Sequence, residues 1–87
     1  MKKEVLVSLP LYDKFKGFEF YWEDDFKIFV EKDNMHVRLI ANKAGLLSLA
    51  NHLLNLSQDE YDSGYHIHLD QFNSLEDGST ELIIEKL

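Results

Sequence analysis

The chain of 87 residues has no cysteine, a single proline and a single tryptophan. Without cysteine there is no disulfide scaffold, no thiolate zinc site and no thiol nucleophile, and nothing demands an oxidising compartment. No apolar run approaches the length of a membrane span. The start, Met1-Lys2-Lys3-Glu4, is basic, but the apolar stretch behind it is short, is broken at Pro10 and is followed by no small-residue cleavage site. It reads as a strand and not as a signal peptide, so the expected location is the cytoplasm, with no membrane partner. Bases are scarce in the second half. Met1 to Lys43 holds eight Lys/Arg and eight Asp/Glu, whereas Ala44 to Leu87 holds Lys86 alone against eight acids. The net charge of −7 therefore belongs to the second half. Phosphate contacts need clustered Lys/Arg, which excludes nucleic acid as a direct partner.

Also missing are a Gly-rich phosphate loop, an HExxH pattern and a Ser-His-Asp order. Paired carboxylates exist, but no apolar cleft is evident that would raise one of their pKa values for acid catalysis. The expectation is a protein that is not an enzyme and needs no cofactor.

What is present is 45% apolar residues and eleven aromatics, enough for one domain spanning residues 1–87. Val5 to Leu9 and Phe18 to Trp22 read as strands, with Glu23-Asp24-Asp25 an acidic turn. Phe26 to Glu31 alternates, with Phe26, Ile28 and Val30 on one face. Lys32-Asp33-Asn34 reads as a hairpin turn and Met35 to Ala41 as the returning strand. The period then changes. Asn42 is a helix N-cap, and Leu46, Leu49, Ala50, Leu53, Leu54 and Leu56 form an apolar stripe, with Ser48, Asn51, His52 and Asn55 on the opposite, solvated face. Tyr65 to Asp70 and Thr80 to Lys86 are the closing strands. The expected class is α+β: an antiparallel β-sheet with one amphipathic helix packed on one face.

Alternation in Tyr65 to Asp70 places Tyr65, Ile67 and Leu69 under the helix and His66, His68 and Asp70 outward. Two imidazoles and a carboxylate are either a solvated polar face, a partner-binding face or part of a metal site, to which Glu81 or Glu85 would add a ligand if the closing strand pairs alongside. In the following loop Asp77-Gly78 is a turn, and Glu76, Asp77 and Asp70 are acceptors available to a partner's arginine or lysine. Trp22, in an aromatic run, reads as core or as an interface anchor rimmed by acids. His52 and His36 read as solvated side chains.

Residues 42–87 resemble the immunity protein 32 family of bacterial polymorphic toxin systems. The resemblance rests on Gly45-Leu46-Leu47-Ser48-Leu49-Ala50-Asn51-His52-Leu53-Leu54, on His66-Ile67-His68-Leu69-Asp70, and on Leu75-Glu76-Asp77-Gly78-Ser79-Thr80-Glu81-Leu82-Ile83-Ile84-Glu85-Lys86. It implies a small protein that binds a cognate toxin domain and blocks it, with His66, His68, Asp70, Glu76, Asp77 and Glu81 as family-like positions. Many toxin domains are nucleases with basic clefts, which an acidic inhibitor suits. Two other readings stand beside this one: a metal-binding protein or metal-dependent enzyme built on His66, His68 and Asp70, and a structural adaptor self-associating through Phe18 to Trp22. The sequence leaves the oligomeric state open.

Overall fold

Alternation along Ile28-Phe29-Val30 and a strong turn build the first hairpin. The computed structural model describes residues 1–87. Strand β1 (Ile28–Lys32) pairs antiparallel with β2 (Val37–Ala41), Ile28 opposite Ala41 and Val30 opposite Leu39. The turn is held by Asp33, whose carboxylate accepts from the backbone N–H groups of Met35 and His36, both at 2.7 Å. Those two bonds favour the ionised form and hold the carboxyl below its ordinary value. The acidic turn expected at residues 23–25 is present, with Asp25 at φ 61°.

A second hairpin follows the helix. Strand β3 (His66–Leu69) pairs antiparallel with β4 (Leu82–Glu85), Ile67 opposite Ile84 and Leu69 opposite Leu82. The two sheets of two strands are joined by the β3–β4 connection. It lies along the second edge of β1, where Glu76 N–H donates to Ile28 O at 2.9 Å and Thr80 N–H to Val30 O at 2.7 Å. Gly78, at φ 85°, turns this segment where an L side chain would be strained. Leu75 enters the core beside Ile28, Val30, Leu49 and Leu69. The architecture is α+β, with two small antiparallel sheets and one helix.

Helix α1 (Lys43–Leu56) begins at Asn42 for a stated reason. The Asn42 side-chain oxygen accepts from Gly45 N–H at 2.8 Å and from Lys27 N–H at 3.0 Å, while its amide donates to Asp25 O at 2.9 Å. One side chain thus caps the helix and fixes the entry to β1. At the other end Lys86, the lone base of the second half, donates to Gln58 O at 2.6 Å just past the helix C-terminus, where a cation is favoured. No helix is long and apolar enough to cross a membrane.

The helix sits the other way round from the sequence expectation. Ser48, Asn51, His52 and Asn55 are buried, while Leu46, Leu47, Ala50, Leu53 and Leu54 are exposed. Of the expected stripe only Leu49 and Leu56 are buried. Nor do Val5 to Leu9 and Phe18 to Trp22 form strands. Both corrections have one cause. These two segments lie against α1, and the uncharged polar side chains of the helix supply hydrogen bonds that a neighbouring strand would otherwise provide.

Candidate functional site

The interior polar seam explains what four of the notable residues do. Along the segment 19–23, alternate residues meet successive helix positions. Asn55 donates to Glu19 O at 3.1 Å, His52 Nε2 lies 2.8 Å from Tyr21 O, and Glu23 N–H donates to Ser48 Oγ at 2.8 Å. The spacing is nearly commensurate, because two extended residues advance about 6.6 Å and three to four helical residues about 4.5–6 Å. The N-terminal segment is tied similarly, through Asn51 to Ser8 O at 3.0 Å and Gln58 to Pro10 O at 3.1 Å.

His52 is fully buried, which corrects its reading as a solvated residue. Phe18, Phe20 and Trp22 share one face as expected, and that face closes on the imidazole with ring centroids at 6.2, 5.3 and 4.3 Å. Burial lowers the His52 pKa from its ordinary 6.5, against an opposing pull from the Tyr21 hydrogen bond. The 2.8 Å contact to a carbonyl requires Nε2 to carry the proton, which leaves Nδ1 as a buried acceptor with no partner. Trp22 is half-buried, stacked on Phe26 at 4.4 Å and packed against the core.

The outward face of the second hairpin is the other concentration of chemistry. Ile67 and Leu69 point into the core, so His66 and His68 point out, as alternation requires. The closing strand does pair alongside, and brings Glu85 opposite His66. His66 Nδ1 lies 3.8 Å from Glu85 Oε1 and His68 Nδ1 lies 3.6 Å from Glu81 Oε2. The two imidazole rings are 5.0 Å apart. Ile83, opposite His68, is exposed between the two glutamates. The side chains of this face are about half exposed and stand on the second hairpin.

Asp70 departs from the expected face. Strand β3 ends at Leu69, and the Asp70 carboxylate turns into its own loop to accept from Phe72 N–H at 2.9 Å and Asn73 N–H at 3.0 Å. The metal reading needed at least three converging donors. His66 Nδ1 instead makes its hydrogen bond with Gly64 O at 2.9 Å and His68 leans on Glu81, and no group of three or more His, Asp or Glu is placed to hold an ion. Glu76 and Asp77 are exposed on the connection that seals β1. Every acid of the second half except Asp70 is exposed, and the only base there is committed to the helix end.

The family model described as immunity protein 32 matches residues 36–87. The matched span begins at β2 and takes in α1, β3 and β4, and leaves β1 and the two segments on the polar face of the helix outside it. No match was found among curated proteins or among solved structures.

Proposed function

Since this chain belongs to the immunity protein 32 family, we propose that it binds a cognate bacterial toxin domain and blocks it, with no catalysis of its own. The family match carries this reading. The contact surface in this proposal is the outer face of β3–β4 with the connection beside it, through His66, His68, Glu76, Asp77 and Glu81, joined by Glu85. Asp70 and Trp22 serve that surface indirectly, by shaping the loop and by packing the aromatic segment on the core.

The physical support is the disposition of charge. A net charge of −7 lies in the second half, and seven of its eight acids are exposed. Such a surface attracts a basic cleft over a distance of about a Debye length, roughly 8–10 Å at ordinary ionic strength. It raises the association rate more than the final affinity. A basic, nuclease-type toxin domain is the partner that fits, and the cytoplasm is the compartment in which the producer would need protection from it.

The test is calorimetric titration with the toxin-like domain encoded beside the gene, together with survival of cells expressing that domain. One-to-one binding with loss of toxicity is expected. A folded, active toxin domain that neither binds nor is neutralised would overturn the proposal.

A further inference from the structure

The inverted helix leaves an apolar surface that the polar seam does not explain. Leu46, Leu47, Ala50, Leu53 and Leu54 are all exposed, with Leu46 at 55% and Leu53 at 51%. At 100° per residue these five occupy one stripe about 120° wide, opposite Ser48 and His52. Single exposed leucines are ordinary, but a contiguous set on one rigid helix marks an interaction surface.

We propose that this stripe is the interface of a two-fold symmetric dimer, in which α1 packs antiparallel against α1 of a second copy across Ala50. The first argument is the spacing. Leu46 and Leu47 stand four and three positions before Ala50, and Leu53 and Leu54 stand three and four positions after it. The stripe is a palindrome. A two-fold axis at Ala50 sets each leucine pair of one helix against the opposite pair of the other, as a self-complementary interface requires. The small side chain falls at the axis, where the backbones approach most closely.

The second argument is charge. A chain carrying −7 repels its own copies over most of its surface. From Ala44 to Gln58 there is no Asp, Glu, Lys or Arg, so the helix surface is where two copies meet without like charges opposed. At the end of the stripe the complementarity becomes positive. The same axis brings Lys43, seven positions before Ala50, opposite Ser57, seven after it. There the helix ends and the exposed Asp59 and Glu60 follow. Lys86 already donates to the carbonyls at the end of each helix, so what Lys43 of one copy faces is the acidic pair Asp59 and Glu60 that follows the other helix, in both halves of the pair.

The stripe is also continuous with an apolar rim on one side. Leu47 lines an open groove with Val5, Leu6 and Val7. The hairpin face His66–Glu85 is not used, and the dimer does not depend on the toxin reading.

Sedimentation velocity over a micromolar concentration series tests this. Wild type is expected to pass from monomer to dimer, and Ala50→Glu to remain monomeric with unchanged circular dichroism, since the position is exposed and glutamate is a good helix former. Because the chain has no cysteine, Ala50→Cys supplies a single thiol at the axis. It is expected to cross-link on mild oxidation, which needs Cα atoms within about 7 Å, while Ser63→Cys in the loop after the helix is not. Wild type monomeric throughout, or a dimer that Ala50→Glu leaves intact, would overturn the proposal. So would a monomer whose toxin binding Ala50→Glu abolishes, because the stripe would then belong to the toxin.

Discussion

His52 Nε2 donates to the carbonyl of Tyr21 at 2.8 Å, across 31 residues of sequence. This bond is the centre of the seam that replaces a strand pair, and it joins a helix inside the family match to a segment outside it. The same imidazole packs edge-on against Trp22 at 4.3 Å, so one ring binds the backbone and the aromatic layer together. An uncharged polar stripe on a helix has here the structural role usually given to leucines.

His52→Leu keeps much of the volume and removes the bond. The Tyr21 carbonyl loses its partner, at a cost of about 1–3 kcal/mol. Urea unfolding followed by tryptophan fluorescence checks this, because Trp22 is the only tryptophan and lies against the ring. A midpoint unchanged from wild type would mean that the seam contributes nothing to stability.

The buried ring also gives the fold an acid sensitivity. Its folded pKa is lowered from the ordinary 6.5, so the unfolded chain takes up the proton first as pH falls. The stability contributed by the neutral ring is fully present above 6.5 and is lost as pH falls through the lowered folded value. The urea midpoint of wild type is expected to drop between pH 7.5 and the region below the folded pKa by more than that of His52→Leu. His36, His66 and His68 are exposed and common to both proteins, so the difference isolates His52.

Gly45 is needed for a close approach between helix and sheet. A Cβ there would stand 2.5 Å from Lys27 O and 2.9 Å from Ile28 Cγ1. Alanine gains about 1 kcal/mol of helix propensity over glycine, but the obstacle is backbone and cannot rotate away. Gly45→Ala is expected to destabilise by a net 1–3 kcal/mol or about that order, read as a fall of several degrees in the thermal midpoint. A rise in the midpoint would show that α1 can shift off β1.

Glu81 and Glu85 test the proposed toxin contact. Both are exposed and neither holds the core, so Glu81→Lys with Glu85→Lys should leave the thermal midpoint within about 4 °C of wild type. Association with a basic toxin domain is expected to slow, and its rate to vary less with ionic strength. An unchanged rate at low salt would remove this face from the interface.

Much of the fold was legible because it rests on short-range rules. Asn42 caps the helix, Asp33 closes the first hairpin and Asp77-Gly78 turns the long connection, each through bonds within a few residues. The alternation that sends His66 and His68 outward and Ile67 and Leu69 inward is likewise local, and it brings the two histidines beside the two glutamates once β4 pairs. Asp70 escaped this logic because the strand ends one residue earlier and a loop claims its carboxylate.

The orientation of α1 was not legible from its leucines. Periodicity finds two faces on a helix, but which face is buried depends on what packs there. A signal was present in the polar face itself: Ser48, Asn51, His52 and Asn55 include no charge, as befits groups that are to be desolvated and hydrogen-bonded. Composition and order by themselves determined the α+β class, the caps and turns, and the acidity of the second half. Tertiary structure alone decided that residues 19–23 would hang on helix side chains and not on a sheet edge. That choice depends on backbone groups many residues apart finding partners at a matched spacing, and it turned the leucines of α1 to the outside.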